Sequence, residues 1–465
     1  MVIGMTLLLA VHLCYTYPSL ASWKIPTTLG REIPLNATEE TTSAPPPKEQ
    51  LPCQKLKGGE EVLVVMRTGA TEIKDKLPAH LNTTLQCYNN YIIFSDYEED
   101  FEGHHVYDLL ANVEDEIKTN HTDFALWRRL RAKGRESLDD SELSGAVSED
   151  TGALGKVWND GWRLDKWKFL PMAVRTLELY PNMSWYAFVE PDTYLIWSNL
   201  LDWLHQLDPT EPLYFGSEVQ IGQDVFAHGG SSFVISNPAL QKVAKLYQDH
   251  VAHWHAITSA HWAGDCILGK ALLESGTPLT WSWPMFQGGN PHTMDFKESK
   301  KHSADLWCSP AISYHHLSPS EIQSMFDFEQ RWLRATQQHK ENSSVRPGYI
   351  SWRQTERMHI HHQDVFRSYV LPSTTSGERY DWSNQSPDLR AGTQNSTLSE
   401  CRAMCESSRG CVQYSVTDLG CYLSQEGKIG QAAEGVQSGW LEDRMRALAD
   451  AHRVCERKVM GWTVT

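Results

Sequence analysis

The sequence predicts an α/β domain built on a largely parallel sheet, followed by a small cysteine-rich segment. Two observations carry that expectation. From residue 61 to about residue 290, short β-branched or aromatic runs alternate with stretches whose apolar residues recur at helical spacing, as in βαβ units. Beyond residue 400, four of the ten cysteines crowd together as Cys401, Cys405, Cys411 and Cys421. A chain of 465 residues exceeds one ordinary domain and fits two or three. With 41% apolar and 22% charged residues it can bury a sizeable core, which excludes a disordered or collagen-like chain. Acidic residues outnumber basic ones by 58 to 42, and no Lys/Arg block appears, so no nucleic-acid partner is expected. Eighteen Trp residues offer flat faces for core packing or for stacking on a ligand such as a sugar.

Residues 1–23 lack Asp, Glu, Lys and Arg, and centre on Leu7-Leu8-Leu9-Ala10-Val11. They read as a cleaved signal peptide, given the small residues of Pro18-Ser19-Leu20-Ala21-Ser22, or as a signal anchor interrupted by His12 and Pro18. Either delivers the remainder into the secretory lumen, as a type II membrane protein or, if the leader is cut, as a secreted one. Sequons at Asn36, Asn82, Asn120, Asn182, Asn342, Asn384 and Asn395 suit that compartment. There the clustered cysteines read as disulfides, with a zinc site as the rival reading. Cys14 lies in the leader, so the odd number left implies a free thiol or an intermolecular bridge.

Residues 24–57, rich in Pro, Thr, Ser and Glu, read as a stalk. Val62-Leu63-Val64-Val65-Met66 is a buried strand ending in the loop Arg67-Thr68-Gly69, and Tyr91-Ile92-Ile93-Phe94 is a second strand ending in Ser95-Asp96. The stretch between them is long enough for a crossover. Residues 131–160, charged and rich in Ser and Gly, read as a mobile loop. Residues 164–180 have helical spacing up to Pro181. Trp185-Tyr186-Ala187-Phe188-Val189 is a strand ending in Glu190-Pro191-Asp192, and Ser198 can cap a helix with Leu200, Trp203, Leu204 and Leu207 on one face. Tyr214-Phe215-Gly216 and Phe233-Val234-Ile235 are further strands. Asn237-Pro238 then starts a helix whose apolar stripe is Leu240, Val243, Ala244 and Tyr247. Residues 331–375 read as a polar, irregular linker, 376–442 as the cysteine-rich segment, and 443–465 as a helical tail.

Ligands of open α/β sheets bind beyond the carboxyl ends of strands, where Asp96, Glu190 and Asp192 fall. A carboxylate pair around Pro191 suits a hard cation such as Mn²⁺ or Mg²⁺, and equally suits a solvated turn. Gly229-Gly230-Ser231-Ser232 permits close backbone approach to a ligand, or is a tight turn; no Gly-Lys-Ser/Thr follows, so it is not a P-loop. Asp265, in Gly264-Asp265-Cys266, is either a helix cap or a general base. His315-His316 gains meaning only if it folds back onto the turn holding Glu190 and Asp192.

Seven stretches in this order resemble glycosyltransferase family 31, which includes Fringe and core-1 galactosyltransferase, and most closely its fungal Fringe-like branch. They are 61–68, Ile93-Phe94-Ser95-Asp96, 162–169, 185–194, Phe226-Ala227-His228-Gly229-Gly230, Gly264-Asp265-Cys266-Ile267-Leu268-Gly269 and Ser313-Tyr314-His315-His316. The resemblance spans about residues 58–325 and implies a GT-A (Rossmann-like) nucleotide-sugar domain over 58–330. It implies metal-dependent, inverting transfer from a UDP-sugar to a hydroxyl of a glycan or glycoprotein acceptor, usually in β-1,3 linkage. It further implies Mn²⁺ or Mg²⁺ on Asp192 and His316, with His315 the less favoured histidine. Thr68, Asp96, Glu190, Gly229 and Gly230 would bind the nucleotide-sugar together with Asp192, and Asp265 would be the catalytic base. The family motif has three acids in a row; Pro191 replaces the middle one, so that contact to the donor is missing. The C-terminal cysteines resemble a PAN/Apple domain, a disulfide-stapled α+β unit that binds protein or carbohydrate. The resemblance implies pairs Cys401–Cys421 and Cys405–Cys411. The competing functional reading is a secreted carbohydrate- or protein-binding protein that keeps the fold without catalysis. A metal hydrolase is disfavoured because no His-Glu-x-x-His stretch is present.

Overall fold

A computed structural model describes residues 50–143, 159–296, 305–342, 359–374 and 377–451, together with Trp462. The leader 1–23, Cys14, the Asn36 sequon, most of the stalk and much of the tail lie outside the described residues. No helix among the described residues is long and apolar enough to cross a membrane.

The fold is mixed α/β around a parallel-rich sheet. Its first twelve strands in chain order are β1 (Val62–Arg67), β2 (Asn90–Ser95), β3 (Glu99–Phe101), β4 (His104–Asp108), β5 (Trp185–Val189) and β6 (Tyr194–Leu195), then β7 (Tyr214–Gly216), β8 (Glu218–Ile221), β9 (Asp224–Ala227), β10 (Phe233–Ser236), β11 (Thr280–Trp281) and β12 (Ser313–Tyr314). Eight of them form the central sheet in the order β11-β7-β10-β5-β1-β2-β4-β3. β1 runs parallel to both β2 and β5, and β10 runs antiparallel to β5 and β7. Successive side chains of a strand point to opposite faces, and both faces here are buried. Val62, Val64 and Met66 pack with Ala187 and Val189 beneath the helices Ile73–Leu81, Trp197–Leu204 and Pro319–Asn342. Leu63 and Val65 pack with Tyr186 and Phe188 beneath Phe169–Leu179, Asn237–Asp249 and Gly264–Glu274. Each such Val or Leu contributes about 1.5–3 kcal/mol by leaving water. The chain leaves β1 towards β2 on one side and returns to β5 on the other. A crevice therefore opens between the carboxyl ends of β1 and β5.

Several expectations need correction. The helical spacing of 164–180 belongs to two helices, Asp160–Asp165 and Phe169–Leu179, because Pro171 has no N–H to return to Trp167. Ser198 does not cap its helix; Ile196 is the cap residue, and Ser198 N–H and Oγ donate to Glu329 at 2.9 and 2.8 Å. That carboxylate, carried on the long helix Pro319–Asn342, supplies the negative charge a helix start favours. The same helix overruns the expected linker 331–375, and Ile360, Val365, Phe366 and Val370 are core residues. Residues 134–143 are short helical turns, anchored by ion pairs of Arg135 with Glu99 and Arg129 with Glu142; residues 144–158 lie outside the described residues. The stalk's last residues join the fold through the Cys53–Cys87 disulfide.

The C-terminal strands β13 (Arg379–Ser383), β14 (Asp388–Leu389), β15 (Gln413–Thr417), β16 (Gly420–Ser424) and β17 (Gln431–Trp440) form an antiparallel sheet ordered β13-β17-β15-β16-β14. The helix Leu398–Ser407 lies against it, joined by Cys401–Cys421 and Cys405–Cys411. These disulfides dispose of the zinc reading. Cys308 is also disulfide-bonded, and Cys266 is a buried free thiol. Asn82, Asn120, Asn182 and Asn395 are exposed, but Asn384 is buried and its Nδ2 donates to the carbonyls of Tyr414 and Gly439. That sequon is a structural amide rather than a glycan acceptor.

Candidate active site

The crevice beyond β1 and β5 is lined by Arg67, Glu190 and Asp192. Two return segments complete it. β12 pairs with β6 in the register Tyr314↔Tyr194, and Leu317 N–H donates to the Asp192 carbonyl at 2.9 Å. The histidine pair is thereby folded back onto the acidic turn. Neighbouring side chains of an extended strand point apart. His316 instead adopts a left-handed backbone (φ 61°), an uncommon state for a non-glycine residue, and the two imidazole centroids lie 3.8 Å apart. His315 Nε2 is 3.2 Å from Asp192 Oδ1 and 3.7 Å from Glu190 Oε2. One donor atom each from Asp192, His315 and His316 lie within 4.8 Å of one another. The expected histidine, His316, is the exposed member of the pair, and His315 is the one packed against the carboxylates.

The second segment is Gly229-Gly230, between β9 and β10. Gly229 N–H donates to Asp265 Oδ2 at 2.9 Å, and Cys266 N–H donates to Asp265 Oδ1 at 2.9 Å. Asp265 lies in the first turn of Gly264–Glu274 but does not cap it; Ala263 holds that position. A Cβ on Gly229 would stand 3.3 Å from Glu190 Oε1 and 3.4 Å from Asp265 Cβ, so the turn separates the two carboxylates by little more than its own backbone. A Cβ on Gly230 would overlap the His315 ring. Gly230→Ala should therefore displace His315 at a cost of about 1–3 kcal/mol, read as a lower urea midpoint together with lost metal-dependent nucleotide binding.

The electrostatics are strongly coupled. Burial disfavours the His315 charge, yet Asp192 and Glu190 overcome it and hold the imidazolium up to about 10. Burial likewise opposes ionisation of Asp192, but His315 and Lys76 hold its carboxyl well below the usual range. Lys76 Nζ is 3.0 Å from Asp192 Oδ2 and 2.9 Å from Glu72 Oε2. His80, on the same helix, bonds the Pro191 carbonyl at 2.9 Å and fixes the turn. Glu190, buried but paired with Arg67, is pulled down to about 2; Arg67 also pairs with Asp165. Asp265 behaves in the opposite sense: desolvation pushes it up to about 6 against the two N–H donors.

Two expected nucleotide contacts are not presented to the crevice. Asp96 is fully buried, with Oδ2 2.8 Å from Lys168 Nζ and Oδ1 accepting the Ala70 N–H at 2.9 Å. Thr68 is buried too; its carbonyl accepts from Lys168 at 2.7 Å. Sequence reasoning missed Arg67, Lys76, Asp165 and Lys168. Arg67, Asp165 and Lys168 stood within the quoted stretches 61–68 and 162–169, and for Arg67 a cation at a strand end was the available signal.

The donor set tests a metal. His315 Nδ1 is buried without a hydrogen-bond partner among the described residues, and Asp192 Oδ1 faces His315 Nε2 at 3.2 Å. One carboxylate and two imidazoles suit a borderline ion such as Mn²⁺ better than Mg²⁺, which favours oxygen ligands. The residues present fit such an ion.

No family model matches the chain. It is similar to the glycoprotein-N-acetylgalactosamine 3-beta-galactosyltransferase 1 of Xenopus laevis, with 25% identity over 201 residues. The match covers 39% of this chain and 56% of that protein, so the chain spans little more than half the length of that relative.

Proposed function

We propose that this chain is a metal-dependent, inverting glycosyltransferase of the family 31 type, moving a sugar from a UDP-sugar to a hydroxyl of a glycan or glycoprotein, in β-1,3 linkage. One observation carries the reading: Asp192, the histidine pair, Glu190 and Asp265 converge on the Gly229-Gly230 turn at the carboxyl ends of β1 and β5. The galactosyltransferase relative supports the same class. Asp192, His315 and His316 would hold the ion, which when bound neutralises the leaving diphosphate as a Lewis acid. Asp265, with its proton affinity raised by burial, takes the proton from the acceptor hydroxyl as that oxygen attacks the anomeric carbon. Attack opposite the leaving group inverts the configuration. Arg67 keeps Glu190 ionised beside the transferring sugar, where a carboxylate favours oxocarbenium-like charge.

The test is a screen of UDP-sugars for Mn²⁺-dependent turnover, with UDP release as the readout. Asp192→Ala should weaken Mn²⁺-dependent UDP binding at least tenfold by calorimetry, since removing a ligand or its support typically costs 10–100-fold in metal affinity; unchanged binding would take Asp192 out of the site. A second reading, binding without turnover, is favoured by Lys76, which together with His315 already neutralises Asp192. UDP binding with no turnover of any donor would select it. The disulfides Cys53–Cys87, Cys401–Cys421 and Cys405–Cys411 support a secretory, lumenal location. The stapled C-terminal sheet and helix support a PAN/Apple-like unit with a protein or carbohydrate ligand.

A further inference from the structure

Three residues along the chain from Asp265 lies an aromatic pair that the mechanism does not use. The rings of Trp162 and Trp262 are stacked, with centroids 6.2 Å apart and planes 16° from parallel. The neighbouring His261 ring lies nearly parallel to that of Trp262, with centroids 6.1 Å apart and planes 10° from parallel. Trp262 is 42% exposed, whereas Trp167, Trp197, Trp203 and Trp254 are buried; core packing does not account for its indole. Its place in the chain fixes its neighbourhood. Trp262 stands three residues before Asp265. Trp162 stands three residues before Asp165, on one face of the helix Asp160–Asp165, and Asp165 pairs with Arg67, which pairs with Glu190. Gly264 holds the two segments together, since a Cβ there would overlap Phe169 and the Lys166 backbone.

We propose that the stacked Trp162–Trp262 surface is the platform of the acceptor subsite, receiving the apolar C–H face of a pyranose while one of its hydroxyls is offered to Asp265. The proposal rests on the transferase reading for its catalytic role. Three features favour a sugar. The surface is flat, matching a pyranose rather than a helix, which needs a groove. Its neighbours along the chain are polar, the Asp160–Arg163 ion pair flanking Trp162 and His261 flanking Trp262. The adjacent carboxylate needs a hydroxyl substrate. Trp262 carries the contact, and Trp162, its less exposed partner, sets the plane.

The test uses the full chain and the methyl glycosides of galactose, glucose, mannose, N-acetylglucosamine and N-acetylgalactosamine, observed by saturation-transfer difference NMR. At least one glycoside should receive saturation at the ring protons of a single face. Trp262→Ala should weaken that binding on the order of tenfold, and Trp262→Tyr should restore most of it. UDP affinity with Mn²⁺ should be equal in all three proteins, and where a donor is turned over, Trp262→Ala should raise the acceptor KM on the same scale with little change in donor hydrolysis. Absence of saturation transfer from every glycoside in the parent, or full binding retained in Trp262→Ala, overturns the platform. A parent that binds glycosides in a Trp262-dependent way yet neither binds nor turns over UDP-sugars would instead overturn the transferase reading.

Discussion

Asp265→Asn is expected to lower sugar transfer by about 10²–10⁴-fold, the usual contribution of a positioned general base, while UDP binding stays within about twofold of the parent. The amide keeps the size of the carboxylate but cannot take a proton. It also cannot accept both hydrogen bonds that reach Asp265, from Gly229 and Cys266 N–H, so one oxygen contact is exchanged for a facing donor. That loss costs about 1–3 kcal/mol of stability, and thermal unfolding measured alongside separates it from the chemical effect. The parent's pH profile gives an independent reading. Only the carboxylate form accepts the acceptor's proton, and burial pushes Asp265 up to about 6. Transfer should therefore fall as pH drops through about 6 and level off above it; an acid in the same position would show the opposite limb. If Asp265→Asn turned over at near the parental rate, the base would have to be sought elsewhere.

The strands of this protein were legible because each is short, β-branched or aromatic, and bounded by polar turns. β1, β2, β5, β7 and β10 all fall where the spacing predicts them. Helix boundaries were less legible, since Glu329 reaches Ser198 from 131 residues away and no local pattern records that. The chemistry divides the same way. Asp192 and Asp265 could be read from their positions at a strand end and a loop–helix junction. That Asp96 is consumed by Lys168 could not, because a pair 72 residues apart in sequence leaves no spacing signal. The preference between His315 and His316 was likewise undecidable in sequence. Adjacent residues differ only in which side of the backbone they leave, and the left-handed turn at His316 resets that alternation.

Lys168→Met should destabilise the fold by about 3–5 kcal/mol, the largest stability effect expected of any single change in this region, because it strips the partner from a buried charge. The Lys168 ammonium is 2% exposed and the Asp96 carboxylate 0% exposed, at 2.8 Å. Burial opposes the Lys168 charge, and Asp96 and Asp165 overcome it, so the amine is held above its usual range. Remove it and Asp96 keeps the Ala70 N–H but loses its counter-charge, while the Thr68 carbonyl loses its donor. These two losses act at the carboxyl ends of β1 and β2, the floor beneath the candidate site. An apolar pair of similar volume avoids both charge-desolvation costs but leaves the Ala70 N–H and the Thr68 carbonyl unpaired, so the double replacement Lys168→Met with Asp96→Leu should recover only part of the loss. Urea unfolding of the two single variants and the double one measures the coupling, expected at 2 kcal/mol or more in magnitude, about the upper range for residues in direct contact. A Lys168→Met cost below about 1 kcal/mol would mean that Asp96 finds water or another donor on its own. The pair would then hold the loops in register without holding the fold, and its weight would shift from stability to site geometry.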